Sequence, residues 1–365
     1  MNNCTLLIDG NWLLISRFSV LQETFRTTHT EAELEAAQHN LEDCMARSIN
    51  ITINRLPFIT NMILVTDGGS WRKHLPKPSC LNEDYKGNRE DDEEPDISWD
   101  HVWEALNHLQ ESCAAAGITS CHHKYIEGDD WIWHWSRYLN DHDSNCIIWS
   151  SDADLKQLVQ CKNGYFTAWY NSTKPGRVVF HQDMQDKPLT DKEDDFFMSP
   201  MVSKNPTQLS IEKLVPNIEY INPDDIVISK IICGDSSDNI KSVARITKNN
   251  RTYGVGPKEL ERLLEALNIN DLESFFISRN EVLDRIRTNN KFNNTVSMND
   301  INEMFDFNTK LVWLNENIIP GDIKNAMKEV EYKKIDISDF RNSYTSLLPK
   351  EDKQDIENIF DSIKP

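Results

Sequence analysis

Nine carboxylates carry the chemical interest of this sequence: Asp9, Asp67, Glu127, Asp129, Asp130, Asp152, Asp154, Asp235 and Asp238. Asp152 and Asp154 flank one small residue, and Asp235 and Asp238 are three apart, so each pair can present two carboxylates to one place. Like charges do not share a cleft unless something neutralises them, and hard divalent cations with oxygen ligands do so. Mg²⁺ or Mn²⁺ suits the set, because neither thiol nor imidazole belongs to it. Two such ions can activate a water and stabilise the leaving oxygen in phosphodiester hydrolysis. For any single Asp the ordinary explanation is capping of an element end, and it covers much of Asp129. Glu127-Gly128-Asp129-Asp130 also contains a polymerase-like tripeptide, a weak signal alone.

The elements around these acids argue for convergence. Thr5–Ile8 is an apolar run delivering Asp9-Gly10; Asn61–Thr66 delivers Asp67-Gly68-Gly69; Cys146–Ser150 delivers Ser151-Asp152-Ala153-Asp154. A further short strand is expected around His123–Ile126, with Glu127–Asp130 opening the helix that holds Trp131, Trp135 and Leu139. Thr30-Glu31-Ala32-Glu33 reads as a capping box starting a helix to about Leu56. Ser98–Ala116 carries Val102, Ala105, Leu106 and Leu109 on one helical face. Strands alternating with helices predict an α/β fold with a mainly parallel sheet, whose functional residues lie at the carboxyl ends of the strands. Asp9, Asp67 and Asp152 all fall there.

Composition sets the outer bounds. The 365 residues include 39 Lys+Arg against 59 Asp+Glu, a net charge of −20 that by itself argues against a phosphate binder. Net charge misleads, however, when carboxylates gather around ions. Hydrophobic residues make up 39%, enough for a sizeable core, and no run reaches the roughly 18 apolar residues of a membrane span. Without a signal-like start, the chain reads as a cytoplasmic protein with no membrane partner. Its eight cysteines include no CxxC pair and fit reduced thiols. Cys121-His122-His123 lacks a second half at zinc-finger spacing.

Residues 68–97 break the strand–helix alternation with Trp71-Arg72-Lys73-His74 and Lys77, then Tyr85-Lys86-Gly87-Asn88-Arg89, then the acidic run Glu90–Glu94. Such insertions are often functional. Residues 182–209 read as a polar connector. Beyond it, Pro223–Cys233 has a helical pattern leading into Gly234-Asp235-Ser236-Ser237-Asp238-Asn239. Gly254-Val255-Gly256-Pro257-Lys258 then opens an amphipathic helix with Leu260, Leu263, Leu264 and Leu267. That turn is too short for a nucleotide-triphosphate loop, yet two glycines before a helix permit close approach to a phosphate. Lys241, Arg245, Lys248, Arg251 and Lys258 add local positive charge.

Taken in order, these motifs closely resemble the flap endonuclease / 5′→3′ exonuclease family, above all its bacteriophage RNase H-type members. The resemblance covers residues 7 to about 265. It implies a PIN-like core over 1–182 with an arch-type insertion at 68–97, a connector at 183–209, a helix–three-turn–helix DNA-binding module over 210–290 and a helical region over 291–365 that packs back on the core. It implies removal of 5′ ends, RNA primers and flaps in replication and repair, by two Mg²⁺ or Mn²⁺ ions. All nine acids match the family's metal-site positions. Lys86 and Arg89, with Arg72 and Lys73, match the basic residues at the base of the family's arch that handle the scissile phosphate and 5′ strand, and Tyr85 beside them is expected to bind nucleic acid. Gly254 and Gly256, with Lys258, match the turn that meets duplex phosphates and holds a K⁺ ion. The expected partners are DNA and RNA–DNA duplexes, with a sliding clamp or single-strand-binding protein as candidates for the tail. The chain is expected to be a monomer, in the host cytoplasm if phage-encoded.

Glu90–Glu94 and Asp96 depart from the family by placing acids where a threaded strand would pass, which argues against a fully enclosing arch. Two other classes compete: a scaffold of the same fold without catalysis, and a metal phosphohydrolase of small esters. The complete acid set argues against the first. The glycine turn and the basic segment after Asp67 have no use in the second.

Overall fold

The computed structural model describes residues 3–87, 94–173, 176–185, 217–292 and 295–348. These divide into two compact units, one drawn from within 1–69, 94–221 and 321–365, the other from within 70–93 and 222–320.

The first unit runs β1 (Cys4–Asp9), α1 (Gly10–Leu21), α2 (Glu31–Arg55), β2 (Asn61–Val65), α3 (Trp99–Ala115), β3 (Thr119–Cys121), α4 (Gly128–Asp141) and β4 (Asn145–Trp149). Then come β5 (Gln160–Lys162), β6 (Tyr165–Asn171), β7 (Arg177–His181) and β8 (Asn217–Ile221). The sheet order is β3-β2-β1-β4-β6-β7-β8, with β5 paired to β6. From β3 to β6 the path is parallel; β5 and β7 run antiparallel to β6, and β8 is parallel to β7. The mainly parallel α/β expectation therefore holds. The chain moves from β1 to β2 and β3, then returns to the other side of β1 as β4, so a switch point opens between β1 and β4.

The central strands β1, β2 and β4 are buried almost throughout, as expected of strands covered on both faces. Thr30 and Glu33 form the predicted capping box, in which the Thr30 amide donates to the Glu33 carboxylate at 2.7 Å. At the other end of α2, the Arg341 guanidinium donates to the carbonyls of Ile53, Leu56, Pro57 and Ile59. It lies in the α11 segment (Ser338–Asn342), after α10 (Gly321–Lys328), and satisfies the Ile53 acceptor orphaned in the last turn together with carbonyls of the cap and the loop that follows.

Two local expectations are corrected. The short strand is Thr119–Cys121 rather than His123–Ile126, which forms a turn with the Ile126 amide donating to the His123 carbonyl at 2.9 Å. Gly68 and Gly69 donate to the carbonyls of Ile126 and Lys124 at 2.9 and 2.7 Å, so that segment packs against the loop leaving β2. A Cβ on Gly68 would lie 1.9 Å from the His123 carbonyl oxygen, so only glycine fits. Second, the acids at the end of the predicted repulsive run are partly neutralised: Arg26 pairs with Glu94 at 2.9 Å and with Asp96, while Gln22 donates to Glu94 at 2.7 Å.

The second unit contains α5 (Pro223–Cys233), a hairpin of β9 (Arg245–Lys248) and β10 (Arg251–Gly254), α6 (Pro257–Ala266), α7 (Leu272–Ile277), α8 (Arg279–Thr288) and α9 (Met298–Val312). Ile228, Ile231, Phe275, Leu283, Phe292 and Phe305 are among the residues of its core. Between α5 and α6 the β9–β10 hairpin is inserted. Glu90–Glu93, Arg89 and most of the 182–209 connector lie outside the described residues.

Candidate active site

Asp9 ends β1 and caps α1, its carboxylate accepting from the Trp12 amide at 3.0 Å. Its other oxygen accepts from the Ser150 hydroxyl at 2.6 Å. That hydroxyl in turn accepts from the Asp152 amide at 3.0 Å. Ser150 thus ties the ends of two neighbouring parallel strands together across the switch point. Burial, the largest cause, pushes the Asp9 carboxyl up to about 7; the Ser150 and Trp12 donors pull it down, and the charges of Asp67 and Asp152 raise it further. Asp9 therefore lies within electrostatic reach of both Asp67 and Asp152.

Asp67 lies two residues past β2, and its amide donates to the Asn11 side-chain oxygen at 2.8 Å. Its carboxylate accepts from the Gly128 amide at the N-terminus of α4, where aligned backbone N–H groups favour an anion. Gly128 permits this approach, since a Cβ there would lie 2.9 Å from the Asp67 oxygen. Glu127 and Asp130 beside it are 7% and 0% exposed, whereas Asp129 is half-buried. Trp131 and Trp135 anchor the helix in the core. Asp154 donates its amide to the Asp152 carboxylate at 2.8 Å, so this pair also makes the capping turn that sequence alone would explain.

Hard oxygen donors gathered at one sheet edge, the buried Asp9 among them, are chemically matched to a divalent cation. As it stands, no group of three or more His, Cys, Asp or Glu side chains among the described residues could hold a metal ion. The first unit presents acids gathered at one sheet edge rather than a closed cage. A cavity of about 270 Å³ adjoins Asp67, lined by Asn11, Thr66, Trp103, Asn107, Gln110 and His122 among others.

In the second unit, Asp235 accepts from the Lys230 ammonium and from the Ser237 amide and hydroxyl, the latter two at 2.9 and 2.6 Å. Burial raises its pKa, but Lys230 and Ser237 outweigh that and hold it below the usual carboxylate range. Asp238 receives the Tyr85 hydroxyl at 3.4 Å, and its carbonyl receives the Lys86 amide at 2.9 Å. Asn239 donates to the Asp84 carbonyl at 2.8 Å. Two sequence motifs thus dock on each other here. Lys86 adopts a left-handed φ of 56° and lays its ammonium 5.0 Å from the Tyr85 ring centroid.

Arg72 corrects an expectation: it is 2% exposed and stacks at 4.5 Å on Trp71, which removes it from the exposed basic surface. Lys73 and Lys258 are exposed. Gly254 is required by packing, since a Cβ would meet the Ser242 Cβ at 2.6 Å, whereas Gly256 has open space around it. The Gly254 carbonyl, where a K⁺ ion was expected, accepts from the Lys291 ammonium, which also pairs with Glu259 at 3.1 Å.

Ser150 and Asn11 went unnoticed in the sequence. Ser150 directly precedes Ser151-Asp152, and Asn11 follows Asp9-Gly10, so only their adjacency to acids could have signalled them.

Residues 4–187 match the family model described as the N-terminal resolvase-like domain of 5′–3′ exonucleases. The chain is 28% identical over 276 residues to a 5′–3′ exonuclease of Mycoplasmopsis pulmonis, an alignment covering 75% of this chain and 69% of that protein. Its fold is similar to that of the bacteriophage T5 D15 protein co-crystallised with metal ions, with a TM-score of 0.56, 15% identity and coverage of 90% and 97% of the two chains. A T5 D15 flap endonuclease complex with DNA and metal ions gives 0.57 at 15% identity, covering 93% and 100%.

Proposed function

The chain belongs to the 5′–3′ exonuclease family, and from that premise we propose that it is a divalent-metal-dependent 5′ nuclease of duplex or flapped nucleic acid, acting on RNA primers and flaps. The observation that carries the reading is the placement of Asp9, Asp67 and Asp152 at or just past the carboxyl ends of three adjacent parallel strands. Support also comes from relatives described as an exonuclease and as a flap endonuclease complexed with DNA and metal ions.

On this reading Asp9, Asp67 and Asp152, with Glu127, Asp129, Asp130 and Asp154, would hold a pair of Mg²⁺ or Mn²⁺ ions. When bound, such ions neutralise the carboxylates, lower the pKa of water and stabilise a leaving oxygen. Ser150 keeps Asp9 and Asp152 aligned, and the Gly128 amide does the same for Asp67. Lys86 is proposed to meet the scissile phosphate, Arg89 to act with it, and Lys73 and Lys258 to meet nucleic-acid backbone. For Asp235 and Asp238 the support for a metal role is their motif; within their unit they hold Ser237, Lys230, Tyr85 and Lys86. Lys291 already brings positive charge to the Gly254 carbonyl, so a monovalent ion is not part of the proposal.

The test is a time course on a labelled 5′-flap duplex and a nicked RNA–DNA hybrid, with Mg²⁺ and with EDTA. Short 5′ products that appear with Mg²⁺ and vanish with EDTA are expected. Tight duplex binding without products would instead favour the catalytically silent scaffold.

A further inference from the structure

The hairpin in the second unit stands apart from the rest of this acidic chain. From Asn239 to Lys258 there is no Asp or Glu, while Lys241, Arg245, Lys248, Arg251 and Lys258 all fall in that span of a chain with net charge −20. Asn249 and Asn250 join the strands with left-handed φ values of 50° and 59°, the two-residue turn that best matches strand twist.

The register sets the charges. Lys248 pairs with Arg251 and Ile246 with Tyr253, placing these four residues on one face; Thr247 pairs with Thr252 on the other. Ile246 packs against the unit's core, whereas Tyr253 is 43% exposed. At the root, Ser242 accepts from the Val255 amide at 2.9 Å, and Lys291 holds the Gly254 carbonyl. The ribbon is fixed at one end and exposed from Thr247 to Tyr253.

Like charges directly opposite each other across two strands are unfavourable. Here the Lys248 and Arg251 side chains have no hydrogen-bond or ion-pair partner among the described residues. Among the described residues no carboxylate neutralises this pair. A polyanion does, because it relieves the repulsion and meets Asn and Thr donors alongside. A two-stranded ribbon also has the width of the duplex major groove.

We propose that the β9–β10 ribbon is a duplex-binding arm, with Lys248 and Arg251 contacting backbone phosphates, and that it sets affinity and salt dependence without taking part in hydrolysis. This rests on the nuclease reading above and adds to it an attachment point on the duplex.

The test uses the full chain and fluorescence anisotropy with a labelled 5′-flap duplex over a range of salt. Lys248→Ala with Arg251→Ala should weaken binding about tenfold at low salt. It should also flatten the slope of log K against log salt by about 1.8, at roughly 0.9 per lost phosphate contact. Single-turnover cleavage at saturating enzyme should stay at the parent rate. Lys248→Glu separates binding from folding: it creates an opposite-charge pair with Arg251, so the thermal midpoint should hold or rise while duplex affinity falls. Unchanged affinity and slope in both variants, with a parent that cleaves the flap, would overturn the arm alone. A parent that neither binds nor cleaves the duplex would overturn both readings. If poly-glutamate displaced the duplex as effectively as unlabelled duplex does, the ribbon would belong to acidic peptides and the proposal would fail.

Discussion

The strand ends of the first unit and the ribbon of the second handle charge in opposite ways. At the strand ends, Asp9 feels the charges of Asp67 and Asp152 from the adjacent strands, and the fold supplies donors such as Ser150 and the Gly128 amide to hold the carboxylates. On the ribbon, two cations face each other and the fold supplies no side-chain partner among the described residues. The first arrangement is braced for chemistry at fixed positions; the second leaves its charges available to a mobile polyanion. A net charge of −20 conceals both, because it averages over the separation.

The comparison breaks most decisively if catalysis and binding do not separate. Asp152→Asn should reduce metal-dependent cleavage by about 10³-fold, with duplex affinity within about twofold of the parent. Single-turnover assays paired with anisotropy check this; full activity in the variant would remove Asp152 from the site.

Glycines test the same contrast in packing. Gly68→Ala drives a Cβ into the His123 carbonyl beside Asp67. It should cost about 3 kcal/mol of stability, the upper range for overpacking, measured by urea denaturation.

Acid titration offers a smaller lever. On α4, burial and the nearby Lys328 push His134 down to about 4. The unfolded chain takes up this proton near pH 6.5 and the folded chain resists it, so the contribution is fully present above pH 6.5. It is lost as pH falls towards 4, up to about 3 kcal/mol at 1.36 kcal/mol per unit. His134→Gln should flatten the stability–pH curve between 7 and 4, as followed by urea denaturation at a series of pH values. The smallest effect belongs to Gly256→Ala, which enters open space at a φ of −95° and should shift stability by less than about 0.5 kcal/mol. Weakened duplex binding in that variant would mark the turn as a place of close backbone approach.

Much of the site was legible because its signals are local. An apolar run ending in Asp announces a buried strand and its carboxyl edge, and Thr30 with Glu33 announces a helix start. What escaped notice lacks a local signature. Ser150 matters only because β1 and β4 are neighbours, and Arg26 matters only because residues 94–97 return beside it. The Arg72 motif read as exposed basic charge, yet stacking on Trp71 and burial removed it from the surface. Strand β5 is three residues long and β8 stands at the sheet edge, so neither carries enough alternation to announce itself. The ribbon hid in a polar stretch whose register becomes visible only once its strands pair.

Residue order alone determined which acids terminate strands, where the helices begin and which glycines precede them, since capping, periodicity and backbone freedom act over a few residues. Tertiary structure alone decided which carboxylates feel one another's charge, which cations are engaged and which remain exposed. Those outcomes depend on Coulomb interactions and desolvation between groups distant in the chain, whose distances exist only after the sheet has assembled.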